Sequence, residues 1–451
     1  MSKANKLRKK YPQFKYSDYS YQLKGKDLKI TFDFSIGSEI FFKPEIAIKD
    51  AGLRLKKINR EVLNNLVFNL GLIESLSYWK ATCSPEILVS AGKLSEDQII
   101  WWRNLISFGF GQFFFENKID WRKKGFLEIK SFDNKKVKVF SGKLRNNTLV
   151  PIGGGKDSAV TIELLKAKKK KINCFSLNPI LPAKKIMKIG KCKNPLIVKR
   201  KIDKKLLELN RKGFLNGHTP FSAYLAFLSV LLAVLFDYRY LAFSNERSSN
   251  EGNVKYLGHI INHQYSKSFD FEKKFRYYSK SYLAKKIEYF SYLRPLYEIQ
   301  IAKIFSQYPQ YFTSFLSCNE AFKTDSGRKK KNGKWCCNCS KCLFAFAILY
   351  PFLSKKDILK IFKENLFEKK ELIPVMEQLI GVKKFKPFEC VGTKEESLVA
   401  FYLSFLKNKD GLPIVLNYFK DKVLPKYPDI ERVAKKMMSS WNSEHFLPRD
   451  L

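Results

Sequence analysis

Residues Pro151 to Val160 read P-I-G-G-G-K-D-S-A-V and combine the residue types that hold phosphate groups. Glycines let backbone N–H groups converge without a clash from Cβ, and the first turn of a helix adds partial positive charge. An apolar run ends just before the glycines, and a stretch with helical character follows them. A plain strand-to-helix turn could also need glycine, but the attached K-D-S favours phosphate binding. The predicted phosphate-binding residues are Gly153, Gly154, Gly155, Lys156, Asp157 and Ser158.

Three cysteines in W-C-C-N-C-S-K-C form a C-x-x-C-x-x-C pattern, and a fourth precedes them by eighteen residues. A closed tetrahedral zinc site needs four ligands, and thiolates at this tight spacing can supply them. An iron–sulfur cluster and ordinary buried cysteines are the alternatives, and Cys337 could replace a neighbouring ligand. We predict a structural Zn²⁺ site formed by Cys318, Cys336, Cys339 and Cys342.

Two polar segments, S-N-E-R from Ser244 and N-H-Q-Y-S-K-S from Asn262, carry further candidates. Glu246 could hold Mg²⁺ beside phosphate oxygens, Asn245 could reach phosphate, and Lys267 could neutralise its charge. His263 could act as a general base or as a donor. A strand-end cap at Asn245 and a structural histidine are the plain alternatives.

The segment K-P-F-E-C-V-G-T, Lys386 to Thr393, lies in a region of helical spacing but does not itself read as helix. A buried acid beside a thiol can exchange protons at carbon, which makes Glu389 and Cys390 candidates for that chemistry. A packed loop between helices is the alternative interpretation.

The net charge is +42, from 84 basic and 42 acidic residues spread over 451 positions. Because the lysines are scattered, we interpret the charge as general basicity and expect no dedicated nucleic-acid surface.

The N-terminus lacks the apolar core of a signal peptide, and the longest apolar run, Phe221 to Phe236, falls short of the roughly 20 residues that span a bilayer. These features predict a cytoplasmic protein whose nine cysteines serve metal binding or catalysis and not disulfides.

Strands and helices alternate from residue 147 onward, which predicts an α/β domain with a parallel sheet and ligands beyond the carboxyl ends of its strands. Residues 1 to about 25 are expected to form a loosely held arm, and the aromatic segment 108–120 fits neither helix nor strand. The predicted division is an N-terminal α+β domain over 1–145, a nucleotide-binding sheet domain over 146–345 and a helical domain over 346–451.

The glycine segment resembles the S-G-G-x-D-S signature of the PP-loop ATP pyrophosphatases, with Gly153 where that superfamily usually has Ser. Together with S-Y-W-K-A-T-C-S-P-E, G-H-T-P-F-S-A, the two polar segments, the cysteine cluster and K-P-F-E-C-V-G-T, it resembles the UDP-N-acetylmuramoyl-L-alanyl-L-glutamate epimerases of bacterial cell-wall synthesis. The likeness spans about residues 30 to 445.

This resemblance implies an enzyme that uses ATP and Mg²⁺ to invert the terminal L-Glu of a UDP-linked muramoyl dipeptide, releasing AMP and diphosphate. Inversion requires two proton-handling groups across Cα, and the candidates are Glu389, Cys390, His263 and Cys83. Two other hypotheses remain open at this point. One is a PP-loop enzyme that modifies RNA or a deazapurine precursor, and the other is a non-catalytic, zinc-dependent RNA-binding protein.

Overall fold

One sheet of eleven strands forms the centre of the protein, and a second sheet is a two-stranded hairpin. The structure is a computed structural model that describes residues 2–55, 57–132, 137–321, 333–383, 385–408 and 411–449. The strands are β1 (Gln13–Lys24), β2 (Asp27–Ile36), β3 (Ile40–Phe42), β4 (Glu45–Ile48), β5 (Glu86–Val89), β6 (Glu128–Ser131), β7 (Thr148–Pro151), β8 (Ile172–Leu177), β9 (Leu196–Lys201), β10 (Tyr240–Glu246), β11 (Val254–Tyr256), β12 (His259–Ile261) and β13 (Glu288–Leu293).

Most strand pairs of the large sheet are parallel, and its order is β13-β10-β7-β8-β9-β4-β2-β1-β5-β6, with β3 beside β2. The pairs β13-β10, β10-β7, β7-β8 and β8-β9 are parallel, so all five strands end at the same edge. The antiparallel strand β4 joins this block to the N-terminal strands through β9. The predicted domain boundary at residue 145 therefore falls between two strands of one continuous sheet.

Helices cover both faces of the sheet and fill the C-terminal part of the chain. They are α1 (Lys3–Lys10), α2 (Gly52–Leu55), α3 (Arg60–Trp79), α4 (Glu96–Gly109), α5 (Gly111–Glu116), α6 (Lys156–Ala167), α7 (Leu181–Ile189), α8 (Lys204–Arg211), α9 (Phe221–Phe236), α10 (Phe269–Tyr278), α11 (Glu298–Phe305), α12 (Ser340–Leu349), α13 (Lys355–Phe362), α14 (Ile373–Leu379), α15 (Lys394–Lys407), α16 (Ile414–Tyr418) and α17 (Ile430–Ser439). Helix α9 packs on α3 against one face, whereas α6 and α11 pack together on the other.

The strand β8 and the helix α9 agree with the predicted alternation of strands and helices after residue 147, and α9 is buried on nearly all sides, as its apolar composition requires. The prediction of a loose N-terminal arm is wrong, because β1 lies inside the large sheet between β2 and β5. Alternate aromatic residues of β1 provide the reason: Phe14 and Tyr16 are fully buried, and Tyr16 stacks on Phe68 of α3. The segment 108–120, expected to be irregular, contains the end of α4 and the short helix α5.

A disulfide joins Cys174 of β8 to Cys192, which follows α7. The prediction that no cysteine forms a disulfide is therefore wrong for this pair, because the β8–α7 connection brings the two Cα atoms to 5.9 Å. In the described part of the chain, no helix combines the length and apolar character needed to cross a bilayer.

Candidate active site

The glycine turn between β7 and α6 places backbone where a side chain would not fit. Gly154 has a φ of +103°, and a Cβ on it would lie 3.0 Å from the backbone nitrogen of Ala183. Its carbonyl accepts a hydrogen bond of 2.9 Å from the backbone N–H of Leu316. Helix α6 starts immediately after Gly155, so its first N–H groups point beyond the carboxyl edge of the sheet. This is the geometry that the phosphate-binding prediction requires.

Three carboxylates converge beside this turn: one oxygen from each of Asp157, Glu246 and Glu298 lies within 4.8 Å of the others. The buried ammonium group of Lys156 bonds both Asp157 and Glu298. Burial raises the pKa of Glu246 to about 7 against the opposing charge of Lys267, and burial also raises the pKa of Asp157. Lys156 and Lys267 are thus the cations that oppose the charge of this cluster. Hard carboxylate oxygens in such a cluster suit Mg²⁺.

A cavity of about 220 Å³ opens between the glycine turn and the end of β10. Its walls bring together most of the predicted nucleotide-binding residues, and Phe175, Phe221 and Phe243 supply an apolar side. The predicted residues that line it are Gly153, Gly155, Asp157, Ser158, Asn245 and Lys267. The apolar side suits a nucleoside, and the turn suits its phosphates.

A second group of side chains adjoins the carboxylates through Lys267, whose Nζ lies 3.4 Å from Cys390 Sγ. The thiol lies 4.0 Å from Nε2 of His263, and Nδ1 of that ring lies 2.5 Å from Oε1 of Gln112. Burial and the nearby Lys267 lower the pKa of His263 to about 4, so the ring is neutral at pH 7. Burial also lowers the pKa of His218, whose ring centroid is 4.6 Å from that of His263.

Glu389 precedes the thiol, and burial raises the pKa of its carboxyl. Among the described residues, its buried Oε2 has no hydrogen-bond partner. The next carbonyl, that of Cys390, accepts a hydrogen bond from Lys341. Lys341 therefore holds the backbone of the loop that carries both Glu389 and the Cys390 thiol.

Arg294 fixes the loops that carry the site. The guanidinium is fully buried and pairs with Glu272 at 3.1 Å. It also donates to the carbonyl of Glu246 at 2.7 Å and to the carbonyl of Lys267. One side chain therefore connects the end of β10 with the segment that presents Lys267, so we assign it a positioning role.

The four predicted metal-ligating cysteines lie together, with all thiols within 4.8 Å of one another. The Cys318–Cys339 and Cys336–Cys342 sulfur distances are 4.0 and 3.6 Å. Four thiolates around one zinc ion are separated by about 3.8 Å when each Zn–S bond is about 2.3 Å. The donor set therefore fits zinc. Cys337 points elsewhere, with its sulfur 3.3 Å from the carbonyl of Phe362.

Two family models match the chain over most of its length. The MurL N-terminal domain matches residues 5–292, and the MurL C-terminal domain matches residues 314–428. The chain belongs to the MurL family. The N-terminal match covers the glycine turn, Asp157, Glu246 and His263, whereas the C-terminal match covers the cysteine cluster and Cys390. Glu298 lies between the two matched ranges.

Three curated relatives are named UDP-N-acetyl-alpha-D-muramoyl-L-alanyl-L-glutamate epimerase. The relative from a Micromonospora species is 33% identical over 76% of this chain and 74% of its own length. The relative from Xanthomonas oryzae pv. oryzae is 30% identical over 93% of this chain and 91% of its own. The relative from Salinispora tropica is 37% identical over 58% of this chain and 56% of its own length. No solved structure is significantly similar to the chain.

Cys83 is one sequence-predicted residue that this MurL-family structure does not join to the others. Its sulfur lies 3.5 Å from a guanidinium nitrogen of Arg8, and burial raises the pKa of the thiol to about 12. A fully buried, protonated thiol paired with the N-terminal helix suits packing better than proton exchange.

Sequence reasoning missed Glu298, Lys341 and Gln112. Glu298 begins α11 shortly after β13, and an acid following a strand at this edge of the sheet was the available signal. Lys341 lies between Cys339 and Cys342 in the sequence, and it was missed because lysine is not a metal ligand. Gln112 lies in the aromatic segment whose helix was not predicted.

Proposed function

We propose that this chain converts the terminal L-Glu of UDP-N-acetylmuramoyl-L-alanyl-L-glutamate to D-Glu in an ATP-dependent reaction of peptidoglycan synthesis. The three relatives carry the name of this activity. The observation that carries the proposal is the position of Lys267, which lines the cavity at the glycine turn and also lies 3.4 Å from the thiol of Cys390. An activating site and a proton-exchanging site thus share one residue. We place the reaction in the cytoplasm, where nucleotide-linked precursors are made.

The chemistry needs both sites. A carboxylate withdraws electrons poorly, so its α-proton is hard to remove. Transfer of AMP from ATP to the glutamyl α-carboxylate, with loss of diphosphate, neutralises that charge and makes the carbonyl a better acceptor for the carbanion electrons. Hydrolysis after inversion then releases AMP.

The residues at the glycine turn bind the diphosphate part of ATP. Backbone N–H groups of Gly153 to Ser158 surround the outer phosphates, while Lys156 and Lys267 oppose their charge. Asp157, Glu246 and Glu298 would hold Mg²⁺, which when bound supplies charge stabilisation on the phosphates. The apolar wall receives the nucleoside.

Proton exchange is assigned to the second group. Groups that attack one carbon from opposite sides each stand about 3–3.5 Å from it, which separates them by roughly 6–7 Å. The thiol of Cys390 and the imidazole of His263 are only 4.0 Å apart, so they act from the same side as one acid–base unit. Glu389, with its raised pKa and unpaired oxygen, is the candidate for the opposite side.

Zinc would be held by the four cysteines as a structural ion. Lys341 lies between two of those ligands and bonds the Cys390 carbonyl, so the ion would support the loop that carries the thiol.

The deciding experiment incubates the protein with ATP, Mg²⁺ and the UDP-linked L-Ala-L-Glu muramoyl peptide in deuterium oxide. Deuterium at the glutamyl Cα together with AMP and diphosphate is expected. ADP as the nucleotide product would overturn the proposed activation, and inversion without ATP would overturn its nucleotide dependence.

A further inference from the structure

A large basic cleft runs along β9 beside α7, from Lys49 and Pro195 at the amino end of that strand to Asn178 and Lys201 at the carboxyl edge where the glycine turn lies. Its volume is about 990 Å³, more than four times that of the cavity at the turn. The two spaces adjoin along β8, because Leu177 lines the small cavity while the next residues, Asn178 and Pro179, line the cleft. One end of the cleft therefore lies close to the proposed activating site.

The charge of the cleft exceeds what the basic composition of the chain explains. Six of its twelve lining residues are Lys or Arg and none is Asp or Glu, whereas Lys and Arg make up 84 of all 451 residues. The basic lining residues are Lys49, Lys184, Lys188, Lys199, Arg200 and Lys201.

Two of the six are already paired: Arg200 bonds Glu74, and Lys201 lies 3.6 Å from Glu45. The four other lysines have no described ion pair, and all are exposed. Exposed, unpaired lysines around a concave surface raise the local concentration of polyanions. Between them, Met187, Pro195 and Ile197 provide an apolar floor.

We propose that this cleft binds the uridine diphosphate end of the substrate, with the two phosphates opposite Lys184, Lys188 and Lys199. This inference rests on the proposed function, because it asks where the remote end of that substrate lies when its glutamyl group is at the activating site. Neither the family models nor the relatives' names assign such a site.

The spacing of the sheet agrees with the length of the substrate. Strands β9 and β10 are separated by β8 and β7, which places them about 14 Å apart at about 4.8 Å per strand. In the substrate, the lactyl, alanyl and glutamyl units extend to about 10 Å, and the hexose ring adds to that length. A diphosphate in the cleft thus leaves the glutamyl group within reach of the cavity between β7 and β10.

Charge removal tests the assignment. The variant Lys184→Ala/Lys188→Ala/Lys199→Gln is compared with the wild type and with Lys355→Ala/Lys356→Ala, a control that removes two exposed lysines of α13. KM and kcat are measured for the UDP-linked substrate and for the same muramoyl dipeptide without UDP. We expect KM for the UDP-linked substrate to rise at least tenfold, kcat to stay within twofold, and KM for the truncated peptide to stay unchanged. Equal changes for both substrates, or no change, would overturn the assignment.

Binding of free UDP, measured by calorimetry without ATP, tests the cleft independently of the epimerase reaction. Wild-type protein should bind UDP and the triple variant should bind it at least tenfold more weakly. If wild-type protein binds UDP through these lysines but does not invert glutamate, the proposed function fails while the cleft assignment stands. If the triple variant loses affinity for single-stranded RNA but keeps its affinity for UDP, the cleft is a nucleic-acid surface and the assignment is wrong.

Discussion

The Nζ atom of Lys267 lies 3.4 Å from the sulfur of Cys390, and both groups come from loops that are separated by more than a hundred residues. Burial alone would lower the pKa of Lys267, but Cys390 and Glu246 raise that pKa above its usual value. The pair therefore joins the cavity at the glycine turn to the thiol that we assign to proton exchange.

The first prediction concerns Cys390→Ala. We expect deuterium exchange at the glutamyl Cα to fall by about 10²–10⁴-fold, the usual contribution of a general base. Diphosphate release should fall less than tenfold, because the phosphate-binding residues are intact. The measurement follows deuterium by mass spectrometry and diphosphate by a coupled assay on the same samples. An equal loss of both signals would argue against a role confined to proton exchange.

The second prediction concerns the link between the cysteine cluster and the catalytic loop. Lys341→Met removes the hydrogen bond to the Cys390 carbonyl, and displacement of the thiol by about 1 Å is expected to lower kcat by about 10²-fold. Zinc content should stay at one ion per chain. Lys369→Ala is the control, because Lys369 bonds the Cys337 carbonyl at 3.2 Å in the loop that carries three of the clustered cysteines. Zinc loss in Lys341→Met would show that the lysine maintains the metal site instead.

The third prediction concerns the metal itself. Cys336→Ser removes one of four ligands, so bound zinc and the melting temperature should both decrease, and chelation of the wild type should have the same effect. Cys337→Ser should keep the zinc, because that side chain faces the carbonyl of Phe362 and serine can donate to it. Zinc content by emission spectrometry and thermal unfolding test both variants. Retention of zinc by Cys336→Ser would exclude the four-cysteine ligand set.

The fourth prediction concerns electrostatic repulsion among the three buried carboxylates. Glu246→Gln removes one of three buried carboxylates, so the melting temperature without Mg²⁺ should rise at pH 8, above the pKa of about 7. Mg²⁺ should stabilise the wild type more than the variant, since binding to the folded state raises its stability. Diphosphate release should fall at least about tenfold in the variant. A lower melting temperature would show that Glu246 stabilises the fold by itself.

The fifth prediction concerns pH. The pKa of His263 is about 4 in the folded protein, against about 6.5 in an unfolded chain, so the unfolded state takes up the proton first as the pH falls. The folded state should therefore lose up to about 3 kcal/mol of stability as the pH falls from 7 to 4. Chemical denaturation of wild type and His263→Gln at pH 7.5 and 5 tests this, and the variant should lose less. An equal loss in both proteins would assign the effect to other groups.

Much of the proposed nucleotide site could be predicted from the sequence because its parts are local. The glycine turn, the first residues of α6 and the three closely spaced cysteines are each defined by neighbours along the chain, where backbone geometry follows residue type. The alternation of strands and helices from residue 147 likewise predicted that the glycine turn and Glu246 meet at one edge, since parallel strands end together.

The proton-exchanging group could not be ranked by the same reasoning. The sequence left four candidates unranked, namely Glu389, Cys390, His263 and Cys83. Only the packing of the C-terminal loop against the segment around Lys267 brings Cys390 and His263 together and leaves Cys83 apart. Lys341 was missed because an isolated lysine carries no local signal, and its role depends on which distant loop it meets.

The sequence by itself determined the glycine turn, the clustered cysteines and most strands of the parallel block, because each depends on short-range preferences and spacing. Tertiary structure alone decided that β1 is an inner strand, that Lys267 connects the carboxylates to Cys390, and that unpaired lysines surround a cleft beside β9. Those relationships join segments far apart in the chain, and burial, charge pairing and sheet order set them only once the whole chain has folded.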